Sequence, residues 1–328
     1  MRLQKLSRVS MSMTLSLSFL CSFSGYTKDF YKYQDENGQW VFSDTPPLSE
    51  SIDPEKVETK VLEFFEPSRL IAIKNNGPSD SPRLVAINDS YAPVEVRMTF
   101  SSDTRNVLIN GDARTREVTE VVPARSEKLM AKIEPYKGKS WRYRYQVEAI
   151  MGAPVKSAAG LNLGQTGYRY PFEDDKAFII SQGFNGRFSH QSPTSRHAVD
   201  ISMPEGTPIL AARSGTVVAR EDYFFRGGIR EEFYERSNFV KILHDDGSMA
   251  DYVHLELDSI VVTSGQRVEE GDLLGRSGST GYSSGPHLHF VISQNQGMKL
   301  LSIPFTFRNP ATGEEIVPRQ GLRLASRN

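Results

Sequence analysis

Cysteine is almost absent. The 328-residue chain holds one, Cys21, in an N-terminal segment whose removal would leave no disulfide, no thiol nucleophile and no thiolate ligand. Any metal held by the remainder is then bound by histidine and carboxylate. Net charge is also nearly absent: 39 Lys and Arg against 40 Asp and Glu give −1, which excludes a global basic field for nucleic acid. No H-E-x-x-H occurs, so the glutamate base of that motif is missing. Histidine is lacking from the first 189 residues; all six fall between 190 and 289. Scatter does not produce such crowding, whereas a metal or acid–base site does.

Hydrophobic content of 38% and charged content of 24% suit a soluble globular chain long enough for two or three domains. Residues 1–24 read as a secretory signal peptide: Arg2, Lys5 and Arg8 precede an apolar, Ser-rich run over 9–23, with small residues Ser22 and Ser24 before Gly25. An uncleaved anchor is the alternative, although the run is short and Ser-diluted against the ~20 apolar residues of a membrane span. Leu20 before Cys21 is a poor match to a lipoprotein cleavage site. No other membrane contact is expected.

Residues 25–65 read as a small module and linker. Aromatic-rich runs flank Asp35-Glu36-Asn37-Gly38, a hairpin signal, and the stretch resembles a small N-terminal module of exported proteobacterial proteins. Residues 48–65 read as a linker with some helical character. Residues 66–165 read as all-β: Val94, Val96, Met98 and Phe100 alternate with polar neighbours, and Gly and Asn punctuation between such runs predicts a small immunoglobulin-like sandwich. It carries no site chemistry. Residues 166–328 are Gly-rich with short strands.

The chemistry lies in that last region. Gly281, Gly285 and Pro286 punctuate a loop that leads into His287-Leu288-His289-Phe290. On a strand, alternate residues share a face, so the two imidazoles project together. His254 follows Tyr252 at the end of a hairpin whose turn is Asp246-Gly247. His244, beside that turn, reads as a packing or exposed histidine. Asp200 sits between Val199 and Ile201; a carboxylate inside an apolar strand is costly unless paired or metal-bound, so it is a candidate ligand.

These segments together resemble the lysostaphin/LytM zinc endopeptidases over about 168–310: H-x-H then Phe after G-x-S-G-x-T-G-x-S-x-G-P, an upstream Y-x-H-L, and A-V-D-x-x-M-P-x-G-T-P-I. The resemblance implies an all-β lysostaphin-like β-sandwich or barrel-sandwich domain. It implies one Zn2+ ion bound by Asp200 and His289, with His254 and His287 as the catalytic pair. The chain departs from the commonest pattern at the first ligand, where H-x-x-x-D has Arg196, which cannot ligate. His197 and His190 compete for the role. An odd separation from Asp200 turns His197 to the opposite face of an extended strand. His190 lies across a loop and is similar to the ligand of a family branch reading S-H, a short loop, then Y-A-V-D or Y-A-I-D, in which Tyr takes the place of His197. His190 is therefore the expected ligand and His197 the alternative.

Two His and one Asp leave an open position, the arrangement of a catalytic zinc site. The expected function is an exported zinc metalloendopeptidase, periplasmic or secreted, cutting peptide cross-links of peptidoglycan. Glycine bridges and D-alanyl–diaminopimelate bonds are not separated, though the N-terminal module favours the latter. One alternative is a non-enzymatic LytM-domain regulator that activates a cell-wall amidase. Carrier domains of barrel-sandwich fold form a second, but no modification hairpin is evident. A wall-binding structural protein leaves the histidines unexplained.

Overall fold

A computed structural model describes residues 27–34, 40–43, 58–63, 70–155 and 167–326. The expected signal peptide and the turn at 35–38 lie outside the described residues. The chain divides into two compact units, Met1–Phe64 and Phe65–Asn328.

In the first unit, β1 (Thr27–Gln34) pairs antiparallel with β2 (Trp40–Ser43), the two arms expected to flank Asn37-Gly38. The linker expectation is corrected over β3 (Glu58–Glu63), which is a strand paired to the other edge of β1, not a helical stretch. Thr59 and Val61 alternate with charged residues there, and β-branched residues favour the pleated ladder over the helix.

The second unit begins with β4 (Ala72–Asn75), β5 (Arg83–Asn88), β6 (Val94–Phe100), β7 (Val107–Ile109), β8 (Glu117–Val122), β9 (Ser126–Pro135) and β10 (Tyr145–Met151). They form two sheets, β4-β5-β9-β7 and β10-β6-β8. Leu84 and Ala86 from β5, Val96, Met98 and Phe100 from β6, and Met130 and Ile133 from β9 bury one shared core. The period-two alternation of β6 thus faces a second sheet, which makes the sandwich. Its immunoglobulin kinship stays an expectation.

The rest comprises β11 (Tyr168–Arg169), β12 (Ala177–Gln182), β13 (Val199–Ser202), β14 (Pro208–Leu210), β15 (Gly215–Glu221), β16 (Phe239–Leu243), β17 (Met249–Val253), β18 (Arg267–Val268), β19 (Leu273–Arg276), β20 (His287–Asn295), β21 (Leu300–Ser302), β22 (Phe307–Arg308), β23 (Glu315–Ile316) and β24 (Arg323–Ala325). The main sheet runs β18-β15-β16-β17-β20-β13-β12-β24, with β21 added to β20. Its inward residues, among them Tyr252, Leu288, Phe290 and Ile201, join Tyr170, Phe172 and Phe307 in the largest core. Each buried aromatic or branched side chain contributes about 1.5–3 kcal/mol. Burying Leu288 and Phe290 therefore fixes which face His287 and His289 present. Among the described residues no helix is long and apolar enough to cross a membrane.

The sandwich is docked on this sheet through a polar lock. Glu95, buried at 6% exposure, accepts hydrogen bonds from Asn295 Nδ2 at 2.9 Å and from the Met298 N–H at 2.6 Å. Asn295 Nδ2 also donates to the Gly152 carbonyl at 2.8 Å. Ala92 and Met151 share an apolar cluster with Val218 and Met249 beside it.

Candidate metal centre and its surroundings

Strand pairing assembles the centre. β13 and β20 run antiparallel, with Asp200 opposite His289 and Ser202 opposite His287. Directly opposed residues share a face, and Asp200 Oδ1 lies 2.8 Å from His289 Nδ1. His190 reaches them from the loop between β12 and β13. Its Nε2 is 3.2 Å from Asp200 Oδ1 and 3.4 Å from His289 Nδ1. Its Nδ1 is 3.0 Å from the Gly183 carbonyl. A carbonyl only accepts, so Nδ1 carries a proton and Nε2 is the nitrogen turned toward Asp200 and His289. One ligand atom from each of His190, Asp200 and His289 lies within 4.8 Å of the others, a set that could hold a metal ion. Two imidazole nitrogens and one carboxylate oxygen match the donor preference of zinc.

Two further imidazoles flank this set. β17 lies on the other edge of β20, with Val253 opposite His289. The chain leaves β17 at His254 with φ of 67°, in the left-handed region, where non-glycine residues are uncommon and cluster at functional sites. Its ring centroid lies 4.6 Å from that of His287 and 5.8 Å from that of His289. His254 Nδ1 donates to the Thr280 carbonyl at 2.6 Å, and His287 Nδ1 to the Gly285 carbonyl at 2.8 Å. Both are thus held as the tautomer with an unprotonated Nε2. His287 Nε2 is 3.7 Å from Asp200 Oδ1.

Burial and mutual contact set the protonation of the group. Burial pushes His254 down to about 3, helped by the neighbouring His287 and His289. Burial also lowers His287, against the pull of Asp200. For Asp200, burial raises the carboxyl, but hydrogen bonds from His190 and His289 outweigh it and hold the group well below the ordinary carboxylate range. His190 is raised: burial lowers it, and the Asp200 carboxylate more than compensates. An ionised carboxylate is the form a cation needs.

Residues 194–300 match a family described as Peptidase family M23. The chain carries a peptidase family M23 domain. Residues 17–63 match a second family, described as a domain of unknown function (DUF4124). Over 136 residues the chain is 34% identical to the peptidoglycan DD-endopeptidase ShyA of Vibrio cholerae, covering 40% of this chain and 28% of that protein. It is 34% identical over 136 residues to the glycyl-glycine endopeptidase ALE-1 of Staphylococcus capitis, covering 41% of this chain and 30% of that one. The chain thus spans less than a third of either relative's length. Among solved structures it is similar to the catalytic domain of lysostaphin from Staphylococcus simulans, with 30% identity, 43% of this chain and 88% of that chain covered, and a TM-score of 0.24.

The other histidines of the M23 domain are engaged elsewhere. His197 Nδ1 donates to the Ser302 carbonyl at 2.9 Å, and its ring meets Phe184 edge-on. His244 is buried, donates from Nδ1 to the Ser214 carbonyl at 2.8 Å, and packs against Tyr168. Arg196 is exposed.

One residue of the site escaped the sequence reading. Gln182 stands opposite Asp200 on β12, and its Nε2 donates to Asp200 Oδ2 and to Ser189 Oγ, both at 2.8 Å. Its Oε1 accepts the Phe188 N–H at 3.0 Å. The available signal was its place two residues after Ile180, on the buried face of a strand. The segment over 221–237, an excursion or a groove border by sequence, packs beside the loop that leads into His287. Tyr234 stacks on Tyr282 at 4.3 Å, and Tyr282 on Phe188 at 5.9 Å. Gly281, with φ of 79°, has no room for a Cβ against Ser237, which explains the glycine in that loop.

Proposed function

We propose that the M23 domain is an exported zinc endopeptidase that hydrolyses peptide cross-links of bacterial peptidoglycan. His190, Asp200 and His289 hold one zinc ion, and His254 and His287 handle the protons. The observation that carries the reading is the convergence of three ligand atoms within 4.8 Å beside two imidazoles with pinned tautomers. Relatives named for peptidoglycan and glycyl-glycine endopeptidase activity support the substrate class. Cell-wall substrate in turn supports action in the periplasm or outside the cell.

Three protein ligands is the number typical of catalytic rather than structural zinc sites. When bound, the ion supplies Lewis acidity toward a carbonyl oxygen and makes a water molecule more acidic. The residues of the chain supply the rest. Asp200 brings the negative charge, and Gln182 fixes its second oxygen. His254 and His287 are neutral near pH 7 because burial depresses both, so each presents Nε2 as a proton acceptor. The proton taken from water at one Nε2 passes to the leaving amine, and the imidazolium formed meanwhile stabilises the oxyanion.

The test is wall hydrolysis by His254→Ala and His287→Ala with zinc content measured in parallel. Both variants are expected to keep the ion and lose activity by at least about 100-fold, the scale of general acid–base catalysis. Zinc-loaded variants of undiminished activity would remove the assigned roles. A wild-type protein that binds zinc and releases no peptide would favour an amidase regulator instead.

A further inference from the structure

A cavity of about 760 Å3 opens beside the metal group, between the loop at 183–188 and the segment at 317–320. Asp200 lines it on one side, and Arg187 and Arg319 line it on the others. The two walls are in close contact: a Cβ on Gly183 would lie 2.8 Å from the Gln320 nitrogen and 3.3 Å from the Arg319 carbonyl carbon. The loop wall is tied to the metal group by two hydrogen bonds through Gln182, one from the Phe188 N–H and one to Asp200 Oδ2. A ligand seated there therefore abuts the centre. The volume suits a ligand of a few residues.

The charge of this cavity is unbalanced. Asp200 is the one acid among its lining residues, and its oxygens already face His190, His289 and Gln182. Neither the Arg187 nor the Arg319 side chain has an ion-pair or hydrogen-bond partner among the described residues. Several other guanidinium groups of this unit are paired, among them Arg169 with Asp174, Arg213 with Asp246, Arg267 with Asp245 and Arg308 with Glu270. Two unpaired forks on one concave surface match a planar carboxylate, which arginine binds bidentately. Phe188 and Val317, 59% and 48% exposed, add apolar wall.

We propose that this cavity is the subsite for a substrate segment bearing a free carboxylate, held by Arg187 and Arg319. The identity of that segment rests on the wall-peptidase reading. A D-alanyl–diaminopimelate cross-link carries such a carboxylate beside the scissile bond, and a glycine bridge carries none on its side chains. The two guanidinium groups therefore select the acidic cross-link and act as specificity-determining residues, remote from proton transfer.

The test is calorimetric titration of the zinc-loaded full chain with a D-alanyl–diaminopimelate peptide made uncleavable by N-methylation of the scissile amide. It is run with free carboxylates and again with them amidated. The free acid is expected to bind about tenfold or more tightly than the amide, with the difference shrinking as salt is raised. The double variant Arg187→Gln/Arg319→Gln is expected to lose the difference while binding the amide as before. Both residues are exposed, so folding is not at stake. Equal binding of acid and amide, no binding of the acid, or a preference that survives the double variant would overturn the proposal. Charge-selective binding by a chain that leaves wall intact would sink the peptidase reading alone. Wall digestion without charge selectivity would sink this subsite alone.

Discussion

Asp200 and His289 are directly opposed across the β13·β20 ladder, and their facing atoms stand 2.8 Å apart although 89 positions separate them in the chain. A sheet register, not a loop, sets this half of the centre. Replacing Asp200 by Ala should therefore abolish the ion and leave the sheet intact. Zinc is expected to raise the thermal midpoint of the wild-type chain, because a ligand that binds only the folded state stabilises it, and to leave that of Asp200→Ala unmoved. An equal zinc-induced shift in both proteins would show that the ion sits elsewhere.

His190 and His197 make a discriminating pair. His190→Ala should lose zinc by elemental analysis. His197→Ala should retain it and lose about 1 kcal/mol of stability, the scale of one hydrogen bond, here to the Ser302 carbonyl. Retention by the first and loss by the second would reverse the assignment.

Gln182 offers a finer measurement. It orients Asp200 through its second oxygen, and such supporting partners typically affect metal affinity by ~10–100-fold. Competition with a chromogenic chelator should show Gln182→Ala binding zinc about tenfold more weakly, with the fold unchanged by circular dichroism. Unaltered affinity would reduce Gln182 to a packing residue.

His244 predicts an acid sensitivity separate from the centre. Burial pushes it down to about 4 from 6.5, and its Nε2 is buried without a partner. The unfolded chain takes up a proton near 6.5 and the folded chain only near 4. The contribution is thus complete above the upper value and is lost as pH falls toward the lower one, by about 3 kcal/mol in all. Denaturant midpoints at pH 7 and pH 4.5 should differ less in His244→Asn, whose amide can still donate to the Ser214 carbonyl, than in the wild type. Identical pH dependence in the two proteins would count against this.

Much of the site could be read from residue order. Period two placed His287 and His289 on one face, and the apolar neighbours of Asp200 marked it as a buried carboxylate. The odd separation from Asp200 turns His197 to the other face, and in the fold its Nδ1 donates to the Ser302 carbonyl. Gln182 was not legible, since an amide at the end of a strand is ordinary until its partner strand is known. The strand at Glu58–Glu63 is not legible from sequence, because its alternation is short and charged. What fixes it is the free edge of β1, a tertiary circumstance that local propensity does not contain. The cavity beside the metal group joins two segments more than a hundred positions apart, beyond the reach of any motif.

The Glu95–Asn295 lock also bears on how the M23 domain can be handled. A fragment beginning at residue 167 would leave the Asn295 amide without Glu95 and Gly152 as acceptors and would uncover Met249. It would thus present water with a sticky notch. The sandwich is thus a fitted cover on the main sheet, joined to it by buried hydrogen bonds and a shared apolar cluster, and not a loose tether.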